Sequence, residues 1–191
     1  IPQLLGNYQD GDIAYVDLNN DGVVDARDKK MLGNSYPRTV LGIDANLQYK
    51  NWGLYILGTA ELGLNVWKNN AYYQNKGEGK YSVLALDRWH PENNPNGTYP
   101  RLTTTEGENN FVNSSFWLGN GSYFRLKNVE LSYTITNKKE NALAKKIKIF
   151  GRGTNLFSLS KEKDLDPELI NAGINNYPVY RTLTGGVTVT F

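Results

Sequence analysis

Apolar and polar residues alternate along several stretches of the chain, as expected for β-strands that have one apolar and one polar face. In residues 38–50, Leu41, Ile43 and Leu47 fall on one face, while Asp44 and Gln48 fall on the other. The same period of two recurs along the chain and predicts five strands, at residues 38–50, 52–65, 121–136, 147–159 and 180–191. The fold is therefore predicted to be all-β and antiparallel.

This alternation also predicts the register of the sheet, because a shift of one residue would move every side chain to the opposite face. The apolar face is predicted to consist of Leu41, Ile43, Leu47, Leu54, Ile56, Leu131, Tyr133, Val187 and Val189. The polar face is predicted to carry Asp44, Gln48, Glu61, Glu130 and Thr188.

The connections between the predicted strands alternate between short and long. A tight turn is predicted at Lys50–Asn51 and a short connection at 137–146, whereas residues 66–120 and 160–178 form long loops. Outer-membrane barrels have short periplasmic turns and long extracellular loops, and compact soluble domains seldom contain such long loops. The alternation alone leaves a soluble β-sandwich open, because its strands have the same pattern.

The final strand favours the barrel. Val187, Val189 and Phe191 share one face, and a last strand that ends in an aromatic residue resembles the signature read by the barrel-insertion machinery. An aromatic girdle is expected near the short-turn ends, formed by Tyr49, Trp52, Tyr133 and Phe191.

Composition removes several classes of function. The 21 basic and 19 acidic residues give a net charge of +2 without a basic run, so nucleic acid is not an expected partner. The absence of cysteine excludes disulfides and thiolate chemistry, and His90 alone cannot form a triad or a transition-metal site. No run approaches the roughly 18 to 20 apolar residues of a membrane-spanning helix. No catalytic constellation remains, and we expect a protein that is not an enzyme.

The run DLNNDGVVDARD, residues 17–28, has the spacing of a twelve-residue calcium loop. Gly22 permits its sharp turn, and Val24 is expected to point inward as an anchor. The predicted ligands are side-chain oxygens of Asp17, Asn19, Asp21, Asp25 and Asp28 together with the carbonyl of Val23. Calcium is the expected cofactor and serves as a structural staple, because Ile13–Val16 reads as extended chain and not as an entering helix. The alternative is an Asp/Asn-rich turn that binds nothing.

Asp28 stands at position 12, where an EF-hand has Glu, so the loop resembles the dockerin-like variant.

Several longer runs, taken in order, resemble the C-terminal region of the SusC/RagA family of TonB-dependent transporters. They are GDIAYVDLNNDGVVDARD, LGNSYPRTVLGIDANLQYKNWGLYILG, RWHPENNPNGTYPRL, SYFRLKNVELSYTI, GRGTNLFSLSKEKDLDPE and YPVYRTLTGGVTVTF.

The resemblance implies import of oligosaccharides or peptides across the outer membrane of a Gram-negative bacterium, with energy supplied through TonB. It also implies an N-terminal plug, upstream barrel strands and a SusD-like surface lipoprotein as partners. Five strands are too few for a plugged barrel of about 22, so we expect the chain to depend on this remainder. Ile1–Gly6 lacks the features of a secretory signal, which is therefore expected upstream.

The expected organisation is an extracellular loop segment at 1–37, containing the calcium loop 17–28, followed by a barrel segment at 38–191. Two other classes stay open. A secreted, calcium-stabilised β-sandwich that binds carbohydrate would explain the loop and the aromatic residues, whereas a dockerin-like protein needs a second calcium loop that the chain lacks. Trp67, Trp89 and Trp117 could stack on sugars, but packing of the loops on one another is the favoured interpretation.

Overall fold

A computed structural model of the chain describes residues 8–104, 109–137, 139 and 143–191. Five long strands form one antiparallel sheet in the order β1-β2-β5-β6-β7. They are β1 Thr39–Tyr49, β2 Trp52–Leu62, β5 Tyr123–Thr136, β6 Lys146–Ser160 and β7 Thr182–Thr190; the short strands β3 Asn65–Trp67 and β4 Leu118–Asn120 form a second sheet. The predicted all-β, antiparallel fold is confirmed. Residues 1–7, which include the predicted signal-free start Ile1–Gly6, lie outside the described residues.

Cross-strand pairing places the predicted apolar residues on one face of the sheet. Leu54 pairs with Leu131 in one row, and in the neighbouring row Glu130 lies between Tyr55 and Arg152. Because side chains alternate along each strand, these two rows face opposite sides of the sheet. The pairing confirms that the two predicted sets of residues lie on opposite faces.

The apolar face is exposed in the part of the chain that the structure describes. Leu47 is 59% exposed and Val187 is 63% exposed, and Leu41 and Ile43 are also exposed. A β-sandwich would bury such a face against a second sheet, in a core about 10 Å thick. This exposure disfavours the sandwich and requires an apolar surrounding outside the chain.

A β-bulge at Lys127 interrupts the alternation of β5. Leu57 pairs with Asn128 but the next residue, Gly58, pairs with Leu126, so Lys127 is the extra residue. Continuous alternation from Val129 would have placed Arg125 on the apolar face. The bulge places Arg125 on the polar face instead.

The chain divides into two compact units. The sheet unit comprises Asn34–Asn65, Asn120–Pro167 and Tyr177–Phe191, and the loop unit comprises the residues up to Gly33, Val66–Gly119 and Glu168–Asn176. Buried side chains of the loop unit include Val66, Tyr73, Tyr99, Trp117 and Ile170. The long loop predicted at 66–120 therefore has a core of its own, with short 3₁₀ helices at Val83–Asp87, Asn109–Phe111 and Ser115–Trp117. None of the helices in the described ranges has the length and apolar character needed to cross a membrane.

Candidate functional site

The polar face of the sheet unit contains a cluster of charged side chains around Glu130. Lys148, Phe150 and Arg152 follow at every second residue of β6, so they share this face. The Glu130 carboxylate accepts hydrogen bonds from Lys148 Nζ at 2.6 Å and from Arg152 Nη2 at 2.5 Å. The Glu130 side chain is only 9% exposed. A buried carboxylate with two cationic donors is electrically compensated, which a lone buried charge would not be.

Phe150 lies between the two cations of this cluster. Lys148 Nζ is 5.7 Å and the Arg152 guanidinium carbon is 5.4 Å from the centre of its ring, within range for cation–π contact. The ring also covers Gly186 on the neighbouring strand, and a Cβ at Gly186 would overlap it. The sequence predicted Glu130 on this face but not its partners. The every-second-residue spacing of Lys148, Phe150 and Arg152 was the signal that could have identified them.

In the loop unit, residues 17–28 form a tight loop held by its own carboxylates. Asp17 accepts hydrogen bonds from the backbone N–H groups of Asn20 at 2.7 Å and Gly22 at 2.8 Å. Asp28 accepts from the N–H groups of Leu18 and Asp25. Such bonds from carboxylates to nearby backbone groups shape turns, and they bring the predicted ligand residues into one loop.

Two further features of this loop agree with the sequence. Gly22 has φ +86°, a left-handed conformation that the predicted sharp turn requires. Val24 is 3% exposed, as expected for the inward-pointing anchor.

Arg27 contributes a contact within the loop that sequence reasoning missed. Its Nη2 atom lies 2.6 Å from Asp21 Oδ2 and 2.8 Å from Asp25 Oδ2. Hydrogen bonds from Arg27 lower the pKa of Asp25, and the N–H of Asp25 lowers the pKa of Asp28. The oxygen donors are of the type that Ca²⁺ prefers. Within the described ranges, however, no three acidic or histidine side chains are grouped as metal ligands, and Arg27 occupies the position between Asp21 and Asp25.

The segment that leads into this loop is anchored by residues about 90 to 100 positions later in the chain. The buried Asp12 carboxylate lies 2.6 Å from Arg101 Nε and accepts a hydrogen bond from Asn110 Nδ2 at 2.8 Å. The Tyr15 hydroxyl donates to the Asn109 carbonyl, and burial raises the pKa of Tyr15 to about 12. Ile13–Val16 is not helical, in agreement with the sequence interpretation.

The aromatic residues of the loop unit pack against the protein itself. The buried Trp117 donates its indole N–H to the Asn110 carbonyl at 2.7 Å. The Trp89 ring lies against Gly11, where a Cβ would overlap it. His90 accepts backbone hydrogen bonds from Glu92 and Asn93 through Nδ1. These contacts favour packing over sugar stacking for Trp89 and Trp117.

The chain is similar to outer-membrane receptors in sequence, although no family model matches it. TonB-dependent receptor P26 of Formosa agariphila is 32% identical over 205 residues, covering 100% of this chain and 20% of the relative. TonB-dependent receptor SusC of Bacteroides thetaiotaomicron is 26% identical over 181 residues, covering 93% of this chain and 17% of the relative. The chain thus spans about a fifth of the length of the curated relatives that it matches.

Solved structures with the same fold belong to the RagAB peptide importer. In its closed-closed state the TM-score is 0.66 at 21% identity, covering 85% of this chain and 18% of the matched chain. In its open-open state the TM-score is 0.64 at 22% identity, covering 83% and 18%. The five-stranded sheet therefore has the fold of a segment of a large outer-membrane barrel.

Proposed function

The chain belongs to the SusC/RagA family of TonB-dependent receptors, which lie in the outer membrane of Gram-negative bacteria, and we propose that it forms part of the wall and outer loops of a nutrient importer. The observation that carries this proposal is a sheet with one exposed apolar face and one polar, hydrogen-bonded face. In a barrel, lipid covers the apolar face and the polar face lines the lumen.

The proposed cargo is an oligosaccharide or a peptide. The peptide class is supported by the fold shared with a peptide importer. The oligosaccharide class is proposed from the resemblance of the sequence to the SusC/RagA family. The proposed partners are the plug and upstream strands of the same receptor, TonB through the N-terminal region of that receptor, and a SusD-like lipoprotein. Residues 66–120 and 160–178 are assigned to the part of the extracellular surface that faces this lipoprotein, because loops of this size usually bind or cover something. Residues 1–37 are assigned to the extracellular side as well.

The function is tested with the intact receptor. We expect a surface lipoprotein to co-purify with the receptor from detergent-solubilised outer membranes, and cells that lack the receptor to lose growth on a particular glycan or peptide. The control is a strain that lacks an unrelated TonB-dependent receptor. If no lipoprotein co-purifies and growth depends on the receptor for no glycan or peptide, the barrel has a structural role and does not import nutrients.

We also propose that the loop 17–28 binds one Ca²⁺ through Asp17, Asn19, Asp21, the Val23 carbonyl, Asp25 and Asp28. The donor chemistry supports this proposal, with ligands at about 2.3 to 2.6 Å from the ion. Binding requires Arg27 to leave Asp21 and Asp25, so the guanidinium and the ion compete for the same carboxylates. A bound ion would staple the surface loop without any catalytic step.

Calorimetric titration of the full-length receptor with Ca²⁺ tests this site. We expect Arg27→Gln to bind Ca²⁺ more tightly than the natural protein, and Asp21→Asn with Asp25→Asn to abolish binding. Mg²⁺ serves as the control ion. Absence of binding by both the natural protein and Arg27→Gln would identify residues 17–28 as a turn that binds no metal.

A further inference from the structure

The segment that follows β6, residues 161–167, lies against the polar face of the sheet unit; we call it the strap. The Ser160 hydroxyl donates to the Glu162 carbonyl at 2.7 Å and starts the reversal of the chain. The Asn120 N–H donates to Glu162 Oε1 at 3.2 Å. These contacts hold the start of the strap beside Asn120, shortly before β5 begins and at the end of the sheet where the connections are long.

Arg125 joins the strap to the strands. The bulge at Lys127 places Arg125 in a row with Thr59 and Ser158 on the polar face. Its side chain is only 4% exposed, and its Nη2 atom lies 2.5 Å from Asp166 Oδ1 on the strap. A guanidinium on the open wall of a lumen would be solvated, so its burial requires cover. Asp166 supplies an opposite charge to this buried guanidinium, and removal of one partner of a buried ion pair is strongly unfavourable.

Much of the strap itself faces solvent. Lys161, Lys163 and Asp164 are exposed, whereas Asp166 is partly buried and Pro167 is buried. A short segment that is exposed over about half of its length is the kind of element that opens locally at low free-energy cost. The ion pair between Arg125 and Asp166 is therefore positioned to control whether the strap stays on the wall.

We propose that the strap is a constriction at the long-loop end of the lumen, latched by the ion pair between Arg125 and Asp166, and that it limits the size of the imported cargo. This proposal rests on the import function, because a segment lying on the polar face occupies space through which cargo would pass. With the latch closed the strap narrows the entrance. With the latch broken the strap leaves the wall and the entrance widens.

Limited proteolysis of the full-length receptor in intact outer membranes tests the latch. Trypsin can cut after Lys161 and Lys163 when the strap leaves the wall, and we expect Asp166→Asn to accelerate this cleavage by roughly tenfold or more. Asp164→Asn is the matched control, since it makes the same chemical change at an exposed position of the same strap. Heat-modifiable migration on gels verifies that both variants form barrels. Equal cleavage rates for the two variants would overturn the latch.

Uptake by intact cells tests the constriction. The probes are a ladder of labelled maltooligosaccharides and a matching ladder of alanine peptides. We expect Asp166→Asn to admit longer members of whichever ladder the natural receptor imports, and Asp164→Asn to retain the natural limit. An unchanged limit in Asp166→Asn, despite faster cleavage, would overturn the constriction. If the natural receptor imports neither ladder and supports no growth, the import function fails, while the cleavage result still decides the latch.

Discussion

Gly11 and Gly22 both have positive φ angles, +84° and +86°, but their surroundings differ. A Cβ at Gly11 would overlap the Trp89 ring, whereas a Cβ at Gly22 would have no atom within 4 Å. Gly22→Ala therefore adds only backbone strain, about 1 kcal/mol, and Gly11→Ala adds a steric clash as well. We expect Gly11→Ala to loosen the packing of its segment and Gly22→Ala to leave it in place.

Hydrogen exchange at the Arg101 amide measures this difference directly, because that N–H donates to the Gly11 carbonyl at 2.9 Å. Exchange should accelerate in Gly11→Ala and stay near the natural rate in Gly22→Ala. Equal rates in the two variants would show that the Trp89 contact does not fix Gly11.

Asp87 gives the loop unit a dependence on acidity. Hydrogen bonds from the Thr98 hydroxyl, the Asn94 amide and the Thr98 N–H lower the pKa of Asp87 below its usual 3.8. Because the pKa of Asp87 is lower in the folded protein than in the unfolded chain, its ionised carboxylate stabilises the fold fully above pH 3.8. This stabilisation is lost as the pH falls through the pKa of the folded protein. We expect the segment that joins Asp87 to Asn94 and Thr98 to loosen only below pH 3.8, and Asp87→Asn to abolish this acid transition. Fluorescence of Trp89, obtained by difference from a Trp89→Phe variant, monitors the transition.

Within the strands, the two faces of β1 should tolerate a new charge very differently. Leu47 and Gln48 are adjacent and both exposed, but Leu47 belongs to the apolar face, which we assign to lipid, and Gln48 to the polar face, which we assign to the lumen. Arginine on the lipid side costs roughly 2 to 4 kcal/mol at the middle of the bilayer and up to about 1 kcal/mol near its interfaces, and arginine in an aqueous lumen costs little. Leu47 lies two residues from Tyr49 of the expected girdle, so we expect Leu47→Arg to lower the free energy of unfolding by about 1 kcal/mol and Gln48→Arg to change it little.

Urea unfolding of the full-length receptor in lipid vesicles, followed by gel migration, provides the measurement. The adjacent pair controls for position along the strand and for the added charge. A larger loss in Gln48→Arg than in Leu47→Arg would reverse the assignment of the two faces.

At the scale of the whole molecule, the sheet unit lacks neighbours that its strands require. β1 and β7 stand at the edges of the five-stranded sheet, and the apolar face is exposed. Unpaired edges and apolar faces of this size promote association in water. We expect the 191-residue chain expressed alone to aggregate in buffer, and the full-length receptor to be monodisperse in detergent. Light scattering compares the two, and a monomeric, β-rich isolated chain in buffer would contradict the expectation.

The sequence alone determined the strands and their faces. Side chains on a strand alternate with a period of two, and the apolar side chains of all the strands must face the same apolar environment. This rule identified Leu47 and Leu131 as members of one face and Glu130 as a member of the other. It also located the tight turn at Lys50, which has φ +51°. The spacing of Asp and Asn residues in 17–28 likewise predicted a calcium loop from the sequence. It did not predict that Arg27 lies between Asp21 and Asp25.

Only the tertiary structure revealed the features that depend on pairing between distant segments, namely the β-bulge, the face on which Arg125 lies and the long-range contacts. At the bulge β5 has one residue, Lys127, more than the paired stretch of β2, and this moves Arg125 to the polar face. The contact between Arg125 and Asp166 spans 41 residues, and that between Ile13 and Asn110 spans 97. The alternation of apolar and polar residues within one segment cannot predict such contacts. They depend on how two segments that are distant in sequence pack together.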